Sequence, residues 1–412
     1  MTGFDQFILV VLFGIMGAAT EQQRWYMHTV IVGGGFAGIK TALELSRAQS
    51  GRITLISERP DFVHHGGLRH ALTGGDPAAS AIALDDIFAS HPEVRIVHAK
   101  LTSINPDRKL VVCGHESYDY DQLVMALGSE ANYRGHTDGP SHVFGSWNLK
   151  QVSDLHDHLH AALAGDEPVD RRYAVIGAGP SGVEIAGLLG AYVQQLTERH
   201  LVSRAKVRIM LIESAERILP TLSKQASRTA AKALKKHGIE IITSTHVATT
   251  HTEFVTVGYQ KLPIDALVWA TGTHNNPFYA QHPHLFDVQP GGLVAVNPYL
   301  EAYRDISVIG DNVSVRGSGR IRGALDMAEY VADHLVRRQT GKLVSAYRPA
   351  TSIISVPVGT DWAYIECLGI YTTGRFAKYL HDRLLRDSYR RIMPLTLAEA
   401  AVASHTTKTN NF

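Results

Sequence analysis

Hydrophobicity along this chain alternates between two modes. Short β-branched runs are followed by longer segments whose apolar positions recur at helical spacing. That alternation predicts strands interleaved with helices around parallel sheets. His28-Thr29-Val30-Ile31-Val32 predicts a strand, Ala37 to Arg47 a helix carrying Ile39, Leu43 and Leu45, and Ile53 to Ile56 the next strand. The same sequence of elements recurs at Tyr173 to Ile176, through a helix containing Ile185, Leu188 and Leu189, to Val207 to Ile212. Between the two units, Val94 to Val97, Lys109 to Val112 and Gln122 to Met125 read as a β-meander, with a turn at Asn105-Pro106-Asp107. A polar helix is expected over residues 150–163, and an extension or an extra helical turn over Gln194 to Lys206. Leu267 to Trp269 and Ile306 to Ile309 add two further strands.

Each repeated unit carries a glycine fingerprint between strand and helix. The first is Gly33-Gly34-Gly35-Phe36-Ala37-Gly38, the second Gly177-Ala178-Gly179-Pro180-Ser181-Gly182. G-x-G-x-x-G in this context lets a backbone turn approach a diphosphate and aims free helix N–H groups at it. Glu58, followed by Arg59, lies about 20 residues beyond Gly38, where a carboxylate can accept both hydroxyls of a ribose. Glu213 would meet a second ribose and repel a 2′-phosphate, which favours NADH over NADPH, while Arg217 close behind softens that preference. Ala126-Leu127-Gly128 and Ala270-Thr271-Gly272 are small-residue turns that allow close approach to a cofactor, and Gly310-Asp311 ends the last strand. Two fingerprints imply two dinucleotides facing each other, a flavin and a nicotinamide exchanging a hydride.

Composition bounds this picture. The chain has 412 residues, room for two or three domains, with 45% hydrophobic and 19% charged residues. A net charge of +1 gives no electrostatic case for nucleic acid. Two cysteines, Cys113 and Cys367, exclude a disulfide scaffold, and none falls in Asp61 to Thr73, where a flavin disulfide reductase would want a pair. His156 and His160 have a spacing metals can use, yet no cysteine or acid-base cluster accompanies them, so no metal site is expected. Phe7 to Met16 is strongly apolar but shorter than a membrane span, and no Lys or Arg precedes it. Translation from Met27 is the preferred reading, ahead of an auxiliary anchor or export. Near the other end, Phe376, Tyr379, Leu380 and Leu384 form a helical stripe flanked by basic residues and interrupted by Arg383. Such a helix suits a membrane surface, and equally a dimer partner or the body of the protein. Were it a simple anchor, deleting Arg375 to Phe412 would release the protein from membranes and spare dye reduction.

Taken in order, the two fingerprints, Glu58, the two small-residue turns and Gly310-Asp311 resemble the two-dinucleotide-binding-domain flavoproteins of the pyridine nucleotide-disulfide oxidoreductase superfamily. Within them the chain is most similar to the type II NADH dehydrogenases, single-subunit NADH:quinone oxidoreductases. The narrower likeness rests on Gly179-Pro180-Ser181-Gly182-Val183-Glu184-Ile185-Ala186-Gly187, on the long segment before Glu213, and on the loop Phe62-Val63-His64-His65-Gly66-Gly67-Leu68. The resemblance implies an α/β fold with two Rossmann-like domains and a C-terminal α+β membrane- or dimer-contact region. The implied division is an apolar extension over 1–26, a flavin domain over 27–145 and 272–335, a nicotinamide domain over 146–271 and a C-terminal region over 336–412.

By the same resemblance, Gly33, Gly35, Phe36, Ala37, Gly38, Glu58, Arg59, Gly128, Gly310 and Asp311 would hold a tightly bound FAD. Gly177, Gly179, Gly182, Glu213 and Gly272 would hold NADH. Glu184 stands equally as an active-site acid and as a helix-capping one, and His64 or His65 as a flavin-side proton donor or a plain loop histidine. Two departures bear on the acceptor. The flavin-side loop lacks the family's proline and aromatic, and Gly323-Ala324-Leu325-Asp326-Met327-Ala328-Glu329 stands where the family has two glutamines beside the quinone. Quinone is the expected acceptor, without proton pumping, in a cytoplasmic protein peripheral on the inner face of the membrane. A soluble ferredoxin- or rubredoxin-like carrier and a redox-sensing flavoprotein with little turnover are the alternatives, with a cysteine-using sulfide:quinone reductase behind them.

Overall fold

In the computed structural model, residues 27–63, 80–132, 143–145, 149–164, 170–199, 207–250, 254–257 and 260–406 are described. The apolar segment 7–16 and the loop histidines His64 and His65 lie outside them. The first unit is β1 (His28–Val32), α1 (Phe36–Arg47) and β2 (Arg52–Ser57). Every residue of β1 is buried, as a strand covered on both faces requires. β3 (Val94–His98) pairs with β2, and β4 (Gln122–Met125) pairs with β1, all parallel. The expected meander is therefore corrected. Its first and last strands belong to the parallel sheet, and the meander itself consists of Leu101–Asn105, Leu110–Cys113 and Glu116–Asp119. Short apolar runs carry no mark of which sheet they join.

On the far side of β4 the sheet is completed by Ile306–Val308, parallel to it, and then by antiparallel Glu301–Tyr303. A segment distant in sequence thus returns to the first sheet. Asp305 secures that return. Its buried carboxylate receives Lys109 Nζ at 2.8 Å, an Arg338 guanidinium nitrogen at 2.8 Å and Gln122 Nε2 at 3.2 Å. Burial works to raise its pKa, but the hydrogen bonds from Lys109 and Gln122 and the charges of Lys109 and Arg338 hold it below the ordinary carboxylate value. A depressed folded-state pKa contributes stability above the unfolded value of about 3.9 and loses it as pH falls through the folded value. Asp305→Asn is accordingly expected to lower Tm at neutral pH and to flatten the acid limb of Tm against pH below about 4. A parallel downward shift of the whole curve would contradict this.

The second unit contains β5 (Val143–Gly145), α2 (Leu149–Ala164), β6 (Arg171–Ile176), α3 (Pro180–Arg199), β7 (Val207–Ile212), α4 (Lys224–Lys236), β8 (Ile239–Ile242) and β9 (Ala266–Trp269). The strands form one parallel sheet in the order β5-β9-β6-β7-β8. Val152, Leu155 and Leu159 bury one face of α2 in this unit's core, so the helix is polar on its other face only. Ser223 caps α4, accepting the Ala226 N–H at 3.1 Å. Its hydroxyl also meets Tyr364 and Glu366, which lie in the C-terminal sheet.

That sheet is antiparallel: β10 (Ile353–Val358), β11 (Trp362–Cys367) and β12 (Ile370–Gly374). α5 (Ile321–Gln339) packs on α1, and α6 (Arg375–Arg390) and α7 (Leu395–Thr406) end the described chain. Two expectations about this region change. The stripe on α6 is split, with Phe376 and Tyr379 exposed while Leu380 and Leu384 pack inward beside Ala363, Ile365 and Ala377. Nor is the tail a detachable anchor, because Tyr389, Ile392, Met393, Ala398, Ala401 and Val402 belong to the core of the first unit.

Candidate functional site

A cleft of about 1400 Å³ runs between the first sheet, the N-terminus of α3 and the C-terminal sheet and helix. At one end the first fingerprint shapes it. Gly33 has φ +125°, and a Cβ there would sit 2.0 Å from the Ala126 carbonyl oxygen. A Cβ on Gly38 would sit 1.8 Å from the Gly33 oxygen, whereas one on Gly35 would meet nothing within 4 Å. Two glycines therefore let the turn fold, and the third leaves open the space that a diphosphate needs. Gly35 precedes α1, has no side chain to cap it, and no acid occupies the first turn. The helix N–H groups and dipole are left for an anion.

The second fingerprint repeats this division of labour. Cβ atoms on Gly177 and Gly182 would lie 2.6 Å from the Ala270 oxygen and 1.8 Å from the Gly177 oxygen, and Gly179 is open. Of this half, Pro180, Ser181 and Glu184 line the cleft, while Gly177, Gly179, Gly182 and Glu213 lie beyond its lining. Glu184 is buried on α3.

The two acids expected at the riboses differ in their surroundings. Val32 pairs with Ile56 and Ile176 with Ile212, so Glu213 occupies the place of Ser57, and Glu58 stands one residue further on. Glu58 is exposed, lines the cleft and pairs with Lys100 at 3.3 Å. Glu213 is buried, and its carboxylate accepts the Ala178 N–H at 2.7 Å, the Ala215 N–H at 2.9 Å and the Ser214 hydroxyl at 3.2 Å. It braces the glycine turn from within. Arg217 donates to the carbonyls of Leu219, Pro220 and Leu222 at 2.7–2.9 Å, which ties it to its own loop.

Gly128 and Gly272 mark where the chain crosses between the two units. Ser129–Ala131 pairs with Thr273–Asn275, and the Asn132 N–H donates to the Gly272 oxygen at 3.0 Å. Asn312, fully buried, bonds both backbone groups of Gly128, at 2.8 and 2.6 Å. The neighbouring Asp311 lines the cleft and receives the Ser129 hydroxyl at 3.3 Å. Burial pushes its pKa up, against hydrogen bonds from Ser129 and the Gly319 backbone. Phe36 stacks edge-on with Phe62 at 4.9 Å and faces Tyr389 at 6.4 Å, joining the first fingerprint to the tail.

Several lining residues were not marked by any motif. Arg316, Arg320 and Arg322 stand exposed along the cleft where the chain enters α5. Asp326 pairs with Arg322 at 3.8 Å and with Arg391 at 3.2 Å, so an ion pair occupies the region where the glutamines were expected. His381 and Ser355 line the far wall. Neither Cys113 nor Cys367 is among the lining residues, and no group of three or more potential metal ligands occurs among the described residues. His156 instead bonds the Tyr192 hydroxyl at 3.0 Å.

Residues 27–328 match the sequence profile of the pyridine nucleotide-disulphide oxidoreductases. The chain belongs to this family. It is 25% identical over 351 residues to a type II NADH:quinone oxidoreductase of Staphylococcus haemolyticus, covering 82% of this chain and 85% of that one. In fold it is similar to NDH2 of Plasmodium falciparum in complex with NADH, with a TM-score of 0.80 at 13% identity, over 93% of this chain and 98% of that one. It is also similar to the sulfide:quinone oxidoreductase of Aquifex aeolicus, with a TM-score of 0.75 at 19% identity, over 92% of each chain. At such identities the two structures speak for the fold alone. Its two mainly parallel sheets with a returning segment thus follow a family architecture, and within the family the chain is like the type II NADH dehydrogenases.

Proposed function

We propose that this pyridine nucleotide-disulphide oxidoreductase is a flavin-dependent NADH dehydrogenase that reduces a quinone. One observation carries the reading: a single cleft joins the first fingerprint and Asp311 to the N-terminus of α3 with Glu184. The cradle left open at Gly35 and the polar groups of Asp311 and Ser129 fit an FAD held by the first unit. Bound there, the flavin would take a hydride from NADH and pass electrons on, which is chemistry the cofactor supplies. Gly33, Gly35, Gly38, Glu58 and Asp311 would bind and orient it. Gly179 and the α3 N-terminus would seat NADH, and the buried carboxylate of Glu213 together with the occupied Arg217 favours NADH over NADPH. The names borne by the Staphylococcus relatives support a quinone as acceptor.

Steady-state NADH oxidation with a short-chain quinone, ferricyanide and a small iron-sulfur protein in parallel tests this. Quinone turnover is expected. Ferricyanide turnover without quinone turnover would overturn the acceptor, and turnover with the iron-sulfur protein alone would favour the second reading, a carrier-protein reductase. That reading is favoured by the three exposed arginines along the cleft, which would attract an acidic carrier.

No helix among the described residues is long and apolar enough to cross a membrane. Leu368, Ile370, Phe376 and Tyr379 are nonetheless exposed on the C-terminal sheet and α6, near Arg375 and Arg383. We assign this patch to peripheral contact with an anionic membrane face, which would bring the protein to a lipid-soluble acceptor. The double variant Phe376→Glu, Tyr379→Glu leaves the buried tail intact. It is expected to reduce co-sedimentation with anionic vesicles at least about fivefold, the order expected from losing two aromatic contacts, while ferricyanide reduction persists. Undiminished co-sedimentation would refute the assignment.

A further inference from the structure

The C-terminal wall of the cleft is built by β10, which packs against α3, and by one face of α6. His381, Leu384, Leu385 and Ser388 follow one another at helical spacing and all line the cleft. Two of the four are leucines, which suit a flat apolar acceptor. His381 is the one histidine lining the cleft among the described residues. Its ring is half-buried and is held across the helix–sheet junction, with Nδ1 2.8 Å from the hydroxyl of Ser355 on β10. A hydroxyl can donate to a bare ring nitrogen or accept from a protonated one. Ser355 can therefore hold the ring in either protonation state.

Charged groups on α6 and on the elements packed against it form pairs with one another. On its own helix Lys378 pairs with Asp382. Asp326 and Glu329 of α5 pair with Arg391. Glu399 of α7 pairs with Arg386 and Arg390, and Glu366 of β11 meets Ser223 and Tyr364. β10 carries no ionisable side chain, Tyr371 of β12 stacks on Tyr364, and Asp387 lines the cleft further along α6.

We propose that His381 is the residue that delivers a proton to the acceptor, with Ser355 as its positioning residue. This rests on the quinone reading above. Two-electron reduction follows NADH + H⁺ + quinone → NAD⁺ + hydroquinone, so one hydrogen of the product comes from NADH and the other enters as a proton. The protonated ring of His381 gives that proton to a quinone oxygen: its N–H bond breaks, the new O–H bond forms, and solvent reprotonates the ring. Histidine is the side chain whose charge changes near neutral pH, as this shuttle needs.

Ferricyanide accepts electrons without protons, so it separates this step from delivery of electrons. In His381→Gln the ratio of quinone to ferricyanide turnover is expected to fall at least about tenfold. In Ser355→Ala it falls less, and added imidazole partly restores it in His381→Ala. Binding gives a readout apart from turnover. In the flavin-loaded protein carrying carbon-13-labelled histidine, the ring signal lost in His381→Gln is expected to shift when a short-chain quinone is added to the wild type. An unshifted signal at saturating quinone, or an unchanged turnover ratio in His381→Gln, overturns the proposal while the quinone reading stands. A wild-type protein that reduces ferricyanide and no quinone overturns both.

Discussion

Gly35→Ala is expected to yield a folded protein that has lost its flavin, whereas Gly33→Ala yields little folded protein. The two residues sit two positions apart in one turn, yet their surroundings set opposite outcomes. The Cβ of an alanine at 35 meets no protein atom within 4 Å, and the backbone there, at φ −93°, is open to any residue. Its methyl group occupies only the space where a diphosphate would approach the N-terminus of α1. Measured by Tm of the flavin-free protein, the variant should match the wild type within about 1 kcal/mol of stability. Its ratio of flavin absorbance to protein should fall at least tenfold, on the order of 1.4 kcal/mol or more in binding. At 33 the Cβ would lie 2.0 Å from the backbone oxygen of Ala126, at φ +125°, where L-residues are strained. β1 and β4 would have to separate, at a cost of roughly 4 kcal/mol or more, a large part of the 5–15 kcal/mol that holds a domain folded. Full flavin content in Gly35→Ala would show that the cofactor does not lie over this turn.

Much of this contrast is legible in the sequence itself. Strand, glycine turn and helix are local features, and the runs at His28–Val32, Phe36–Arg47 and Arg171–Ile176 follow directly from β-branched content and apolar spacing. What stayed hidden depends on contacts between distant segments. Val94 to Val97 and Gln122 to Met125 have no feature that separates a parallel core strand from a meander strand. The register of β7 against β6 decides that Glu213, and not the next residue, faces the glycine turn. Asn312 and His381 carry no motif at all. Asn312 matters because Gly128 is brought to it from far along the chain, and His381 because α6 folds back across the cleft. The burial of Tyr389, Ile392 and Met393 was masked by the basic residues of α6, which made the tail look like a surface appendage.

Glu213→Gln is expected to weaken NADH binding and to destabilise the second unit, without touching flavin content. The carboxylate satisfies two backbone N–H groups, one within the glycine turn at Ala178 and one at Ala215 beyond its own strand. Glutamine keeps one acceptor oxygen and points an NH₂ group at whichever donor it no longer serves. A buried donor left unpaired costs about 1–3 kcal/mol, more than the average hydrogen bond contributes. For a unit of this size that is a loss of about 4–8 °C in Tm if the cost is near 2 kcal/mol. Freed from the carboxylate, the Ala178 N–H no longer fixes the turn between Gly177 and Gly179, and the seat for the NADH diphosphate loosens. KM for NADH should rise at least about tenfold, equivalent to 1.4 kcal/mol if it tracks affinity. On the proposed preference for NADH, KM for NADPH should rise less, since the substitution would also remove a negative charge near a 2′-phosphate. Flavin absorbance per protein stays at the wild-type value, since the first fingerprint and Glu58 are unaltered. A variant with unchanged Tm and unchanged KM for NADH would show that the brace is dispensable and that the turn's backbone bonds, Gly177 N–H to Ile212 and Leu219 N–H to Ala178, suffice to hold it.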